Sequence, residues 1–164
     1  MNLLEVDVPI VAAVNGDGLG ATIPLFCDAV VIAEGARLAD THVRMGLVAG
    51  DGGVMIWPWL VGMGMGQRIS APRRMDHGKE AERIGLANYA VPQDQVMPTA
   101  MELARNVPFA VRWTKYSVNK ILRDHVNLAL DSSMFPEAAT MSSEGLARAA
   151  QAVYATRQPR FKGR

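Results

Sequence analysis

The sequence contains a single cysteine, Cys27, so a disulfide framework within the chain is excluded. Aromatic residues make up only 6% of the chain, and the charges nearly cancel to a formal net charge of +1. This balance provides no general attraction to nucleic acid or to an anionic membrane. No apolar run approaches the roughly 18 residues needed to cross a bilayer, and the acidic N-terminal stretch is unlike a secretory signal. We therefore expect a cytoplasmic protein that binds neither nucleic acid nor membrane.

Apolar residues, in contrast, are plentiful: they form 49% of the 164 positions, enough for a buried core in one domain. Residues 9–14 form a continuous apolar run that is closed by Asn15 and Gly16, as in a strand buried on both faces. Residues 27–33 and 36–39 predict two further strands, and a short helix is expected over residues 21–26. Strands joined by a compact crossover indicate an α/β fold.

Helical patterns dominate the remainder of the chain. One apolar helix is expected to follow Gly53 and end at Val61, and three more are predicted over residues 79–84, 93–106 and 109–123. A last helix is expected to begin after an N-cap at Ser142 or Ser143 and to run to Arg157. Four residues supply much of the apolar stripe of the 109–123 helix: Val111, Val118, Ile121 and Leu122. We treat residues 1–92 as a core region and 93–164 as a C-terminal helical region of one structural unit.

Four sequence segments follow one another in a characteristic order: VPIVAAVNG with a glycine-rich loop and Cys27-Asp28, then ARLADTHVRMGLVAGDGG, KEAERIGLAN and RQPRFKGR. In this order, from about Val8 to Arg164, they resemble the enoyl-CoA hydratase/isomerase (crotonase) family. The resemblance implies a spiral of ββα units with C-terminal helices that form a homotrimer or a dimer of trimers. Family members normally carry a further N-terminal part, with several strands and half of the active site, so the expected fold is N-terminally truncated.

The family's chemistry stabilises an enolate-like anion of an acyl-CoA thioester with two backbone N–H groups, an oxyanion hole. The resemblance therefore implies an acyl-CoA or related small carbonyl substrate, and no cofactor apart from the coenzyme A of the substrate itself. It makes a lyase or an isomerase the expected class of enzyme, with a carbon–carbon bond hydrolase as an alternative. A non-catalytic remnant or partner subunit is the alternative from another class. RNA binding through the basic tail is a third reading, which the near-neutral charge argues against.

The first glycine-rich loop covers residues 15–21. Glycines allow backbone N–H groups to turn toward a ligand, and the resemblance places one oxyanion donor at the amide of Leu19, beside Gly18 and Gly20. Two other interpretations remain open. The loop also contains the spacing Gly-x-Gly-x-x-Ala of a dinucleotide-binding fingerprint, with Glu34 as the ribose acid. Alternatively, it is a structural turn that binds no ligand.

Both glutamates that serve as acid and base in the family's hydratases are replaced, and Thr22 and His42 stand at the matching positions. A hydroxyl group cannot replace a carboxylate as general base, whereas imidazole titrates near neutral pH. Asp51 follows nine residues after His42, and we predict that it orients the imidazole as general base. This spacing, followed by Trp57-Pro58, resembles the crotonase-family β-diketone hydrolases, which cleave a carbon–carbon bond without CoA.

A structural role for the same two residues is the alternative: His42 would cap a turn, and Asp51 would N-cap the next helix. His77 and His125 have no neighbours at metal-ligand spacing, so the sequence predicts no metal site. In the tail, the resemblance makes Phe161 and Lys162 weak candidates for contact with the CoA nucleotide.

Overall fold

The computed structural model describes residues 3–19, 22–64, 66, 76–105 and 107–161. Its main sheet has three parallel strands in the order β1–β3–β6, so β3 is central. A smaller sheet has the order β2–β4–β5, with β2 parallel and β5 antiparallel to β4. The strands are β1 (Val11–Val14), β2 (Gly18–Leu19), β3 (Ala29–Ala33), β4 (Arg37–Ala39), β5 (Asp76–His77) and β6 (Tyr89–Val91).

Helices surround these two sheets. They are α1 (Thr22–Leu25), α2 (Gly53–Val61), α3 (Gly78–Arg83), α4 (Val96–Ala104), α5 (Phe109–Met141) and α6 (Glu144–Tyr154). Short 3₁₀ turns lie at Leu3–Glu5, Val43–Met45 and Gln93–Gln95. Among the helices of the described ranges, none combines the length and apolar character that a membrane span requires.

Most predicted elements are present with trimmed ends. The α/β class is confirmed, as are the strands at β1, β3 and β4 and the helix ending at Val61. The helix expected over residues 93–106 is instead a 3₁₀ turn followed by α4. Ser143 is the N-cap of α6, and its hydroxyl accepts a hydrogen bond from the Leu146 amide. Most of the stretch 63–75 lies outside the described residues.

The core lies between β3 and the helices that cover it. Four consecutive residues of β3, from Val30 to Ala33, are at most 3% exposed. A strand of a parallel sheet that is covered on both faces buries the side chains of every position, so a continuous apolar run is the pattern that suits it. Trp57 of α2 and Val96 of α4 belong to the same buried cluster.

Helix α5 differs from the sequence prediction in both length and buried face. It continues through Pro136 as one helix of 33 residues, beyond the expected end at residue 123. Three residues of the apolar stripe, Val111, Val118 and Ile121, are exposed, so the stripe does not face the core; Leu122 alone of the four packs partly against it. The residues buried on α5 are polar: Lys115, Asn119, Ser133 and Glu137.

The polar face of α5 is buried because its side chains find partners on the rest of the chain. The Lys115 ammonium donates to Asp28 Oδ2 at 2.7 Å and to the Val8 carbonyl oxygen at 2.8 Å. The Asn119 amide donates to the Leu4 carbonyl oxygen at 3.0 Å. Buried polar groups are tolerated when they are hydrogen-bonded in this way. These contacts fix α5 against the N-terminal segment. They also help to determine which of its residues reach the second glycine loop, residues 50–53.

At that loop, the backbone of α5 approaches Gly50 closely. Replacing Gly50 by alanine is expected to lower the free energy of unfolding by about 1–3 kcal/mol, the usual cost of overpacking. The new methyl group would lie against the Ser133 carbonyl oxygen and 2.7 Å from Glu137 Oε2, and a helix backbone cannot rotate aside. Chemical denaturation of the variant measures this loss.

Gly35 offers a matched control, because nothing lies within 4 Å of the position that its Cβ would occupy. The Gly35→Ala variant is expected to stay within about 0.5 kcal/mol of the parent protein, as for most surface substitutions. Equal losses at Gly35 and Gly50 would show that the close approach of α5 is not the cause.

Candidate active site

The second glycine loop is packed against the first through α1. Gly52 has a φ of 134°, a conformation that favours glycine. The Thr22 methyl group and the Phe26 ring occupy the space that a side chain at Gly52 would need. Thr22, which stands at the position of one hydratase glutamate, is therefore buried against the loop that follows His42.

The register of the small sheet brings the first loop to the same place. Leu19 pairs with Ala39, and Gly18 pairs with Leu38. Because Ala39 immediately precedes Asp40, the backbone of Leu19, the expected oxyanion donor, lies beside the end of β4 from which the His42 segment emerges. Gly20 lies outside the described residues.

The first loop is tied to β4 by Asp17 and Arg37. Asp17 Oδ1 accepts from the Arg37 backbone amide at 2.9 Å, and Oδ2 accepts from Arg37 Nε at 2.9 Å. The hydrogen bond from Arg37 lowers the pKa of the Asp17 carboxyl below its ordinary value, and the same pairing raises the pKa of Arg37. This exposed pair therefore helps to hold the turn before β2 in place.

The imidazole of His42 is oriented by a buried carboxylate. Asp40 Oδ1 lies 2.8 Å from His42 Nδ1 and also accepts the backbone amide of His42 at 3.0 Å. Asp40 is 6% exposed. A carboxylate at this distance places the proton on Nδ1, which leaves the lone pair of Nε2 available for chemistry.

Two further carboxylates lie on the Nε2 side of the ring. Nε2 is 3.5 Å from Asp51 Oδ1 and 3.9 Å from Glu137 Oε1. The fold thus brings His42 and Asp51 together, although the hydrogen bond that orients the ring comes from Asp40. Glu137 is delivered by α5, where Ser133, one turn earlier, donates to the Gly50 carbonyl oxygen at 3.1 Å.

These charges change the acidity of His42. Burial of the ring by itself lowers the pKa of His42, because it disfavours the charged form. The hydrogen bond and charge of Asp40, together with the charges of Asp51 and Glu137, outweigh that effect. The pKa of His42 is therefore raised above its ordinary value, and the site stabilises an imidazolium once a proton is taken up.

The structure does not show the capping roles that were the alternative for His42 and Asp51. The N-cap of α2 is Gly52, with no side-chain capping bond. His42 precedes the 3₁₀ turn Val43–Met45, and its side chain makes no capping bond there. The two side chains point instead at each other and at Glu137 within the described part of the chain.

Next to this cluster is an apolar cleft of about 200 Å³. Asp51 is the charged residue of its lining, so the residue that faces His42 also borders the cleft. The other lining residues are Leu3, Leu4, Phe26, Gly52, Met55, Val126 and Leu130. A cleft of this character suits an acyl chain or a small apolar carbonyl compound with one polar end.

The tail candidates lie on a different element. Phe161 packs against the turn that follows His42: its ring carbon Cε1 would be 2.9 Å from a Cβ at Gly46. Lys162 lies outside the described residues. Glu34, the ribose acid of the dinucleotide interpretation, forms an ion pair with Lys79 at 3.0 Å. The four residues of α1 are also far shorter than the crossover helix which that interpretation needs.

Two residues of the cluster were missed by sequence reasoning. Asp40 carried a local signal, because an acid two residues before a histidine at a strand end can fold back onto its ring. Glu137 carried none: it lies far along the chain, beside Pro136, and reaches His42 only through the docking of α5. Because Glu137 is so far from His42 in the sequence, a search for closely spaced histidines and acids could not have grouped them.

These features define an α/β protein of the crotonase fold. A crystal structure of an enoyl-CoA hydratase from Mycobacterium avium subsp. paratuberculosis K-10 superposes with a TM-score of 0.90 at 23% identity, covering 98% of this chain and 68% of that one. A β-diketone hydrolase from the cyanobacterium Anabaena sp. PCC 7120 has a TM-score of 0.78 at 24% identity, covering 88% of this chain and 59% of that one.

The sequence comparison identifies the family. The family model for enoyl-CoA hydratase/isomerase matches residues 1–164. A short-chain-enoyl-CoA hydratase of Clostridium acetobutylicum is 35% identical over 145 residues, which cover 84% of this chain and 55% of the relative. The chain belongs to the enoyl-CoA hydratase/isomerase family. It spans about half the length of that curated relative.

Proposed function

We propose that the protein acts on an acyl-CoA thioester or a related carbonyl compound, with His42 as general base in place of the hydratase glutamates. The observation that carries this proposal is the orientation of the imidazole. Asp40 holds Nδ1 at 2.8 Å, and Nε2 lies 3.5 Å from Asp51, which lines the apolar cleft. A base oriented by a buried acid beside an apolar cleft is an arrangement that suits proton abstraction.

The proton transfer follows from the tautomer. With its proton on Nδ1, His42 accepts a second proton at Nε2, either from a carbon next to the substrate carbonyl or from an attacking water. The imidazolium that forms is stabilised by Asp40, Asp51 and Glu137, the same groups that raise the pKa of His42. General base catalysis of this kind contributes roughly 10²–10⁴-fold to a rate.

The negative charge that develops on the carbonyl oxygen needs N–H donors. We assign one of them to the Leu19 amide, because the pairing of Leu19 with Ala39 places it beside the strand that leads to His42. Removal of a single oxyanion donor costs about 10²–10³-fold in other enzymes, so this group would have a large share in the rate.

A second candidate function is hydrolysis of a carbon–carbon bond in a β-diketone. The observation that favours it is the distance of 3.5 Å between His42 Nε2 and Asp51 Oδ1, with Glu137 Oε1 also near Nε2 at 3.9 Å. In this reaction His42 deprotonates a water, the hydroxide adds to one carbonyl carbon, and the bond to the central carbon breaks. The electron pair of that bond leaves as an enolate, which takes up a proton.

The first test is turnover. Purified protein is assayed separately with crotonyl-CoA, an isomerisable enoyl-CoA and a cyclic β-diketone. Loss of the conjugated thioester, migration of its double bond, or ring opening would respectively identify hydratase, isomerase or hydrolase activity. We expect turnover with at least one of them. A folded protein that is inactive with all three would favour a non-catalytic or partner role.

We also propose that residues 93–164 connect copies of the chain, as a trimer or a dimer of trimers. This proposal is supported by the exposed face of α5, where Phe109, Trp113 and Tyr116 form successive edge-to-face pairs with ring centroids 5.9 Å apart. Apolar faces of this kind commonly mark interaction surfaces. Light scattering on the same preparation should give a multiple of three chains, and a monomer would contradict this part of the proposal.

A further inference from the structure

His42, Asp51 and Glu137 are spaced as possible ligands of one metal ion. His42 Nε2 and one carboxylate oxygen each of Asp51 and Glu137 all lie within 4.8 Å of one another. The distances from Nε2 to the two carboxylates, 3.5 and 3.9 Å, exceed the roughly 2.7–3.2 Å of an N–H···O hydrogen bond. These groups are therefore neighbours that do not bond directly to one another.

The same distances suit a shared ion. A zinc ion lies about 2.0–2.2 Å from histidine nitrogen and carboxylate oxygen, and a tetrahedral arrangement then separates its ligand atoms by roughly 3.3–3.5 Å. The observed separation of 3.5 Å agrees with this geometry. The separation of 3.9 Å is longer, so Glu137 Oε1 would have to move toward Nε2 when an ion binds.

We propose that His42, Asp51 and Glu137 bind one divalent transition-metal ion, with Zn²⁺ as the fitting probe. One imidazole nitrogen and two carboxylate oxygens form a ligand set that borderline metal ions accept. Three protein ligands leave a fourth position for water. This site is distinct from the proposed base function. A bound ion would occupy the lone pair of Nε2, so His42 could not act as a base while the ion is bound.

Asp40 supports the site from behind the imidazole. A metal-binding histidine usually donates its other ring N–H to a carboxylate, which fixes the tautomer and increases the basicity of the coordinating nitrogen. Asp40 makes this contact with Nδ1 at 2.8 Å and is itself buried. The coordinating lone pair is therefore on Nε2, the nitrogen that faces Asp51 and Glu137.

Glu137 provides an independent reason to expect a cation. Its side chain is buried, 4% exposed, and Oε2 has no hydrogen-bond partner among the described residues. A buried carboxylate oxygen without a hydrogen-bond partner is costly, and the other oxygen, Oε1, is the one 3.9 Å from His42 Nε2. A metal ion between Glu137 and His42 would offset that cost, and it would also separate the negative charges of Glu137 and Asp51.

The experiment is a metal titration of untagged protein that has been stripped with EDTA. Calorimetry with Zn²⁺ should show one ion per chain, and Co²⁺ should give the visible absorption of a tetrahedral centre. Glu137→Gln and His42→Ala are expected to abolish both signals. Asp40→Asn should weaken affinity about 10–100-fold, as for other carboxylates that orient a metal-binding histidine.

His77→Ala is the matched control, because His77 is exposed and lies outside the cluster; its titration should equal that of the parent. Circular dichroism confirms that each variant is folded before it is titrated. The proposal is overturned if the stripped parent takes up no stoichiometric Zn²⁺, or if folded Glu137→Gln and His42→Ala both bind it normally. Turnover is measured separately on metal-free protein, and added Zn²⁺ should inhibit it. A protein that is active but does not bind Zn²⁺ would contradict the metal site and leave the proposed base function intact.

Discussion

Replacing His42 by alanine is expected to reduce kcat/KM by about 10²–10⁴-fold with the substrate that the parent protein turns over. The variant retains the cleft and the Leu19 amide but has no group that accepts a proton at the position of Nε2. The assay is made in the presence of EDTA, so that a bound metal ion does not contribute to the difference.

Loss of packing is separated from loss of the base by a second variant. His42→Asn places an amide N–H at the position of Nδ1, so it can still donate a hydrogen bond to Asp40, but its amide cannot accept a proton at neutral pH. We expect it to be as inactive as His42→Ala while keeping more of the parent's stability, because Asp40 then keeps a side-chain donor in addition to the backbone amide of residue 42. His77→Ala should retain full activity. A normal rate in either His42 variant would remove this residue from the mechanism.

Replacing Trp57 by alanine is expected to lower the free energy of unfolding by about 3–5 kcal/mol, the range for large aromatic residues in cores. Trp57 is 1% exposed and belongs to the cluster that covers β3. For a chain of this size, such a loss should lower Tm by on the order of 10 °C. Thermal and chemical denaturation measure both quantities.

Trp59 provides the matched control, because it is the same residue type on the same helix but is 49% exposed. Its ring contacts His125 with centroids 4.3 Å apart, so Trp59→Ala is expected to cost no more than about 1 kcal/mol. Trp57→Phe should also cost less than Trp57→Ala, since Trp57 Nε1 has no hydrogen-bond partner among the described residues to lose. Similar losses for both alanine variants would mean that α2 is not packed as described.

Helix α5 shows where sequence reasoning reaches its limit. Its most apolar positions, including Val111 and Ile121, form a regular stripe, and such a stripe normally faces the core. The structure buries Lys115 and Asn119 instead, because each finds a partner on the N-terminal segment. A pattern of hydrophobicity cannot reveal those partners, since they lie more than 80 residues away in the chain.

In the candidate site, too, some residues could be predicted from the sequence and others could not. The positions of His42 and Asp51 could be predicted, because both lie in one segment whose glycine spacing is typical of the family. Asp40 lies in that segment too, but its role depends on how the chain turns after β4. Glu137 enters the site only because Gly50 allows the backbone of α5 to come close.

For this protein, the order of apolar strands and glycine loops was sufficient to predict the fold class and the segment that holds the candidate base. Those patterns reflect local backbone geometry and burial, which neighbouring residues largely determine. The addition of Glu137 to the carboxylates around His42, and the surface that α5 leaves exposed, depend on long-range docking. Docking is set by contacts between segments distant in the chain, so these two features became visible only with the folded structure.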